Sequence, residues 1–333
     1  MSKKVKVAIN GFGRIGRLVL RAALESGRDD IEFVAINDLA PAEQNAYLLQ
    51  YDSVHDKLPM DVKLDGDTIV VGKHRIKCIA EKDPTKLPWR ELGIDIVMEC
   101  TGLFTAADKA RVHIDCGAKR VLVSAPSVGA DKTIVFGVNQ DTLTPNDIIV
   151  SNASCTTNCL APVAKVLDEK FGIASGWMTT VHAYTGDQQL LDKTHKDFRR
   201  ARAAALSMIP TSTGAAKAIG LVLPNLAGKL DGIAIRVPTP DVSVVELVVN
   251  LNKDVTTEMV NDAMHAAQSA TFGYNELPLV SIDFTHDAHS SIFDSTQTHV
   301  IDNRMVHVTA WYDNEWGFSN RMSDTAVAMG KLL

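Results

Sequence analysis

The 333-residue sequence contains no apolar run near the ~18 residues that cross a bilayer. Its start, Met1-Ser2-Lys3-Lys4, is basic. It leads directly into Val5-Lys6-Val7-Ala8-Ile9, without the apolar core of ~7–15 residues that a secretion signal carries. A cytoplasmic protein with no membrane partner is therefore expected. No pair among the five cysteines (Cys78, Cys100, Cys116, Cys155, Cys159) has the two-residue spacing of a zinc knuckle, and no histidine cluster completes one, so no metal is expected. The odd, scattered set suits free thiols in a reducing compartment rather than a disulfide framework. Positive charge is in deficit, with 34 Lys and Arg against 40 Asp and Glu. The net charge of −6 argues against a nucleic-acid partner but leaves room for a local anion pocket. Internal repeats and low-complexity segments are also missing.

What is present is an ordinary globular balance, 46% hydrophobic and 22% charged, in a chain long enough for two domains. The first third alternates β-branched runs (Val5–Asn10, Ile31–Asn37, Ile94–Glu99, Arg120–Ser124) with helical periodicity (Ile15–Glu25, Ala42–Tyr51, Ala106–Cys116). That alternation predicts an α/β fold of Rossmann type, a doubly wound parallel sheet. After Ser151 the pattern changes. A long helix, Cys155–Phe171, precedes strands at Trp177–Ala183, Ile233–Val237, Val242–Leu251, Leu279–Ile282 and Met305–Tyr312, with one clear helix, Thr256–Ser269, among them. This predicts an α+β domain with a mixed or antiparallel sheet. Ser319–Leu333 reads as a closing helix. Tyr184–Ala205 has no clean periodicity, and so long a connection in a compact domain is usually functional.

Gly11-Phe12-Gly13-Arg14-Ile15-Gly16 follows a predicted strand and opens a predicted helix, the context that the G-x-G-x-x-G motif needs to hold a pyrophosphate at a helix N-terminus. Asp38 lies 22 residues beyond Gly16, after the second strand, where an acid can bind a ribose 2′-hydroxyl. A 2′-phosphate there would meet a carboxylate with no Arg or Lys directly after it, which favours NAD over NADP. The plainer reading is a structural glycine turn with Asp38 capping the next element.

Ser154 is a good N-cap and would put Cys155 in the first turn of the long helix, where the helix dipole favours a thiolate and free backbone N–H groups can receive an oxyanion. Its polar neighbours Thr156, Thr157 and Asn158 argue against a merely buried cysteine, the commoner fate of a free thiol. Cys159, one turn on, reads as packing. His182, at the end of a strand, is the best candidate base among ten histidines. His55, His74, His265 and His289 sit in polar stretches and read as solvated.

The stretches Ile9–Arg17, Ser151–Asn158, Thr179–Thr185, Arg199–Ala205 and Trp311–Glu315, in order over essentially the whole chain, resemble the glyceraldehyde-3-phosphate dehydrogenases. The resemblance implies an NAD-binding domain of residues 1–154 and 314–333, whose last helix packs back, and a catalytic and oligomerisation domain of residues 155–313, in a homotetramer. It implies Cys155 as nucleophile and His182 as base in the phosphorylating oxidation of glyceraldehyde 3-phosphate. Gly11, Phe12, Gly13, Arg14, Ile15, Gly16, Asp38, Thr101, Gly102 and Ser124 would hold NAD, with Asn314 on its carboxamide. Thr185 and Arg236 would hold the substrate phosphate. Ser154, Thr156, Arg200, Thr213 and Gly214 would hold the attacking inorganic phosphate. Tyr184–Ala205 would lie near a neighbouring subunit's cofactor.

For Arg199 and Arg202 a solvated or intersubunit role is the better expectation. Three departures stand out: Thr194 where many NAD-specific members carry proline, Phe318 in place of a common tyrosine, and a short stretch at Gln268–Asn275. Two other functions compete. An erythrose-4-phosphate dehydrogenase would suit Glu276–Ser281 and Trp316-Gly317-Phe318, but Tyr184-Thr185 and Thr213-Gly214 oppose it. A non-catalytic binding protein on the same fold would be expected to lose the nucleophile, base or anion ligands, and this chain has them.

Overall fold

The computed structural model describes residues 4–333, so the expected basic start at Met1–Lys3 lies outside the described residues. The chain divides into two compact units, Met1–Phe136 with Gln140–Ala153 and Ser319–Leu333, and Gly137–Asn139 with Ser154–Phe318. Among the described residues no helix is long and apolar enough to cross a membrane.

The first unit runs β1 (Val5–Asn10), α1 (Arg14–Glu25), β2 (Ile31–Asn37), α2 (Ala42–Gln50), the hairpin β3 (Tyr51–Asp52) and β4 (Asp56–Lys57), then β5 (Val62–Asp65), β6 (Thr68–Val71) and β7 (His74–Ile79). It continues with α3 (Trp89–Leu92), β8 (Ile96–Glu99), α4 (Ala107–Ala110), α5 (Val112–Asp115), β9 (Arg120–Val123), β10 (Lys132–Thr133) and β11 (Ile149–Ser151). Nine strands form one sheet in the order β10-β11-β9-β8-β1-β2-β7-β6-β5. The strands from β10 to β7 pair in parallel, and β5 and β6 add an antiparallel edge. β8 and β9 are buried throughout, as parallel strands covered on both faces must be. β1 has β2 on one side and β8 on the other, which makes the switch point outside its carboxyl end the natural ligand crevice.

The second unit holds α6 (Cys155–Phe171), β12 (Ile173–Ala183), β13 (Ile209–Ser212), α7 (Ala215–Val222), β14 (Leu230–Val237), β15 (Ser243–Leu251), α8 (Thr257–Ala266), β16 (Phe272–Asn275), β17 (Ser291–Ile301), β18 (Met305–Tyr312) and the start of α9 (Trp316–Gly330). Its seven-stranded sheet, β13-β14-β12-β15-β18-β17-β16, is mixed, as expected. β12 alternates so that Met178, Thr180 and His182 are buried while Trp177 is 50% exposed. β15 does the same, with Val245, Leu247, Val249 and Leu251 inside. Ser319–Leu333, the rest of α9, belongs to the first unit, where Arg120 donates to the Met329 and Leu332 carbonyls and Gly330 lies against Val5.

Several elements differ from the sequence-based expectations. Leu279–Ile282 is not a strand: Asp283 Oδ2 accepts the Val280 N–H at 2.9 Å and folds Ser281–Phe284 into a 3₁₀ turn. The helix expected over 106–116 breaks at Arg111 into α4 and α5. α7, β13, β16, β17 and the β5–β7 meander were not anticipated. His55 is buried rather than solvated.

Candidate active site

In the first unit the glycine motif does three different things. Gly11 has a φ of +91°, and a Cβ there would sit 2.6 Å from the Thr101 nitrogen, so only glycine lets β1 turn this close to the end of β8. A Cβ on Gly16 would lie 2.1 Å from the Gly11 oxygen, which lets α1 close onto the turn. Gly13, the residue before α1, has nothing within 4 Å of where its Cβ would be and offers no side chain to cap the helix. The first turn of α1 thus carries no side-chain cap, the arrangement in which a helix start can face an anion. Phe12 is buried, and Arg14 pairs with Asp52 at 2.5 Å. Asp38 Oδ2 accepts the Phe12 N–H at 2.8 Å and Oδ1 the Ala40 N–H at 2.9 Å. Its structural and ligand-binding readings are therefore compatible, since each oxygen keeps a lone pair. The next side chain, Leu39, is 63% exposed and brings no positive charge.

Beneath the switch point lies a polar network that sequence reasoning missed. Glu99, 1% exposed, accepts from Asn10 Nδ2 at 2.7 Å, from His113 Nε2 at 2.9 Å, from the Thr101 N–H at 2.8 Å and from the Thr101 hydroxyl. Trp89 Nε1 can only donate, so His113 Nδ1 accepts from it at 3.1 Å and the ring proton sits on Nε2, facing Glu99. The side chain of Thr101 is thereby turned inward, so the backbone of Thr101 and Gly102 (φ +73°), not the hydroxyl, forms the lip of the crevice. The Ser124 N–H is held by the Glu99 carbonyl at 3.0 Å.

In the second unit the expected catalytic pair meets. Ser154 caps α6 through Oγ, which accepts the Thr157 N–H at 3.1 Å. Cys155 therefore begins the helix, and its Sγ lies 3.5 Å from His182 Nε2. The meeting follows from strand parity, because His182 shares the inward face of β12 with Thr180. His182 Nδ1 lies 2.7 Å from the Ala183 carbonyl and 3.0 Å from Arg236 Nη1. The carbonyl can only accept and the guanidinium can only donate, so the two neighbours call for opposite tautomers; with Nδ1 protonated toward the shorter carbonyl contact, Nε2 presents its lone pair to the sulfur. Burial, reinforced by the Arg236 guanidinium, pushes the imidazole down to about 3.

The thiol does not follow the helix-dipole expectation. Burial pushes it up, outweighing Arg236 and the bonds from Thr156 that pull it down. His182 is uncharged at neutral pH in the ligand-free chain. Cys159 is fully buried and donates to Ser291 Oγ at 3.5 Å and to the Ala310 carbonyl at 3.6 Å.

Arg236 stands opposite His182 in the β12–β14 register. Its Nη1 also donates to the Ala183 carbonyl at 3.0 Å and Thr185 Oγ1 at 3.1 Å, while its buried Nε has no partner among the described residues. An unpartnered guanidinium N–H beside a thiol is the kind of group that can bind an anion. Arg200 donates from Nε to Thr211 Oγ1 at 3.0 Å and from Nη1 to Asp187 at 2.5 Å. Thr213 Oγ1 caps the start of α7 at the Ala215 N–H (3.2 Å), and Gly214 is exposed beside it. Thr156 Oγ1 bonds Tyr312 Oη at 2.9 Å, so its hydroxyl is shared with the protein interior. Arg199 and Arg202 are exposed, and Arg202 pairs with Asp192 of the same segment at 2.7 Å.

Three further site residues went unnoticed in the sequence. Tyr312 sets its ring edge-on to His182, 5.9 Å between centroids, and bonds Thr180 at 2.9 Å. Ser243 accepts the Ala183 N–H at 3.0 Å and donates to Asn314 Oδ1 at 2.7 Å, leaving the Asn314 amide hydrogens to offer. Asp187 is the third. Only register across strands distant in sequence reveals these partners; for Asp187 its place two residues after Thr185 was a usable signal.

Residues 5–107 match the model of the glyceraldehyde 3-phosphate dehydrogenase NAD binding domain, and residues 154–314 match that of the family's C-terminal domain. The chain belongs to the glyceraldehyde 3-phosphate dehydrogenase family. Curated members with that name include one from Xanthobacter flavus, 63% identical over 98% of this chain and 99% of the relative, and one from Cereibacter sphaeroides, 62% identical over 99% of each. Another, from Zymomonas mobilis, is 55% identical over 99% of each. Membership makes the chain an oxidoreductase and NAD its cofactor. The open Gly13, the start of α1 without a side-chain cap and the uncharged, exposed Leu39 after Asp38 fit NAD.

Proposed function

We propose that the chain oxidises D-glyceraldehyde 3-phosphate to 1,3-bisphosphoglycerate, as its family name suggests, and that Cys155 and His182 carry the chemistry. The observation that carries the reading is the 3.5 Å approach of Cys155 Sγ to His182 Nε2, in a ring whose Nδ1 lies 2.7 Å from the Ala183 carbonyl. In the proposed sequence Cys155 adds to the aldehyde carbon as its proton passes to His182, giving a thiohemiacetal. The Cys155 N–H and His182 steady the developing oxyanion, to which His182 then passes the proton it took from the thiol. Bound NAD supplies the hydride acceptor. His182 removes the hydroxyl proton as the carbon is oxidised, which leaves a thioester on Cys155. Inorganic phosphate then cleaves that thioester, and the sulfur regains a proton from His182.

Thr185 and Arg236, with its unpaired Nε, are assigned to the substrate phosphate. Ser154, Thr156, Arg200, Thr213 and Gly214 are assigned to inorganic phosphate. On the cofactor we assign Gly11–Gly16, Asp38, Thr101, Gly102, Ser124 and Asn314, with residues 1–154 and 314–333 as the cofactor domain and 155–313 as the catalytic and oligomerisation domain. A homotetramer is part of the proposal. Its support is the apolar surface of the second unit, where Trp177, Ile233 and Val248 line one sheet face and Leu190, Phe198 and Leu206 are each more than 80% exposed in the 184–206 segment. A cytoplasmic location suits the five free cysteines.

The test is a phosphate-dependent NADH assay on wild type and Cys155→Ser. The serine variant should keep NAD affinity and lose about 10³-fold or more in turnover. Retained turnover removes Cys155 from its role. Faster turnover on erythrose 4-phosphate would replace the substrate but keep the mechanism.

A further inference from the structure

Asp187 stands where a carboxylate is least expected if phosphates bind beside it. Its Oδ1 accepts the Thr185 hydroxyl at 2.5 Å and its Oδ2 accepts Arg200 Nη1 at 2.5 Å. Thr185 belongs to one assigned anion set and Arg200 to the other, so a single carboxylate bridges both. Thr185 Oγ1 is in turn 3.1 Å from Arg236 Nη1, which joins the second guanidinium to the bridge. The Asp187 side chain is 42% exposed and Arg200 20%, so the bridge lies at the solvent-facing mouth of the cluster. Although burial opposes it, the Thr185 hydroxyl and the Arg236 and Arg200 guanidiniums hold the carboxyl below the usual carboxylate range. It is anionic at any working pH.

We propose that Asp187 is an internal stand-in for a phosphate oxygen pair, engaging Thr185 and Arg200 in the ligand-free enzyme and giving them up when a phosphate-bearing ligand enters. The inference rests on the phosphate assignments of the proposed function. A planar carboxylate with two oxygens, one on a hydroxyl and one on a guanidinium, imitates what a phosphate offers these donors. It keeps them oriented and hydrogen-bonded while the site is open to water. Once a phosphate dianion takes its place, Asp187 remains within a few ångströms as a like charge. It therefore weakens anion binding and favours departure of the doubly phosphorylated product. A residue that simply braced Arg200 for phosphate would have the opposite effect, so the two roles separate by sign.

The experiment is Asp187→Asn, which keeps the shape and one acceptor oxygen but removes the charge. Affinity for inorganic phosphate and for unreactive sulfate is read by the shift of the thermal midpoint with anion concentration. KM for phosphate and for glyceraldehyde 3-phosphate is read alongside, with unphosphorylated glyceraldehyde as the control aldehyde. The expected result is about fivefold tighter phosphate and sulfate binding, lower KM for both phosphate-bearing ligands, and an unchanged KM for glyceraldehyde. Weaker or unchanged anion binding overturns the proposal.

Arg200→Ala separates this failure from failure of the underlying assignment. If that variant leaves phosphate affinity untouched, the phosphate site itself is misplaced. If it weakens phosphate while Asp187→Asn fails to strengthen it, only the role of Asp187 falls. Should the asparagine variant not fold, a sulfate-soaked crystal of the wild type gives the answer. Sulfate bound on Thr185 or Arg200 with Asp187 displaced supports the proposal, and sulfate bound beside an intact bridge overturns it.

Discussion

Glu99 in the first unit and Arg236 in the second are both charged groups held away from water, and they are treated in opposite ways. Glu99 receives four hydrogen bonds from Asn10, His113 and Thr101. Arg236 spends one nitrogen on the Ala183 carbonyl and the Thr185 hydroxyl and leaves its buried Nε with no partner among the described residues. A charge whose bonds are complete holds a structure still, whereas a charge with bonds outstanding is ready for a ligand. The first pins the two strand ends under the glycine turn. The second pushes His182 down and pulls Cys155 against its burial, which is the behaviour of a reacting site.

The contrast can be broken by substitution. Glu99→Ala would strand the Asn10, His113 and Thr101 donors in the interior and should destabilise the fold by about 3 kcal/mol or more in urea titration. A loss under about 1 kcal/mol would mean that the network is ornamental. Arg236→Gln should reverse the pattern. It should cost about 100-fold in kcat/KM for the phosphorylated aldehyde, through lost anion binding, with a stability change within about 1 kcal/mol. The same variant should slow alkylation of Cys155 at pH 8, because Arg236 is the largest influence holding the thiol down.

The acid side sharpens the comparison. The folded His182 is depressed to about 3 from 6.5, so the unfolded chain binds the extra proton first as pH falls. Stability from this group is complete above about pH 6.5 and erodes as pH drops toward 3, by at most about 1.4 kcal/mol per unit. His182→Gln should flatten the wild-type slope between pH 6.5 and 5, before most carboxylates titrate. An unchanged slope would mean that the imidazole is not held uncharged. The smallest effect belongs to the exposed Arg202–Asp192 pair, where Arg202→Ala should change stability by less than about 0.5 kcal/mol in the same urea titration.

Local sequence made legible whatever depends on a few neighbouring residues. The glycine spacing, the Ser154 cap and the alternation along β12 each rest on a short window, and from them come the crevice, the helix start and the direction of His182. Glu99, Ser243 and Tyr312 were not legible, because their meaning lies in partners 14 to 156 residues away or in strand register. The run Leu279–Ile282 misled for a related reason. Short apolar runs do not distinguish a strand from a turn, and here Asp283 settles the matter by folding back on Val280. The thiol misled differently. The helix terminus was visible in the sequence, but the burial that outweighs it was not.

Ala153, just before the cap, sits at a φ of +58°, a left-handed setting that side chains other than glycine rarely adopt. The backbone thus reverses sense one residue ahead of Ser154, and this fixes where α6 can begin. Each residue of a helix advances the azimuth by about 100°, so gaining or losing one position here would swing residue 155 away from the ring it faces. The sulfur owes its aim to a hinge of the main chain as much as to its own identity.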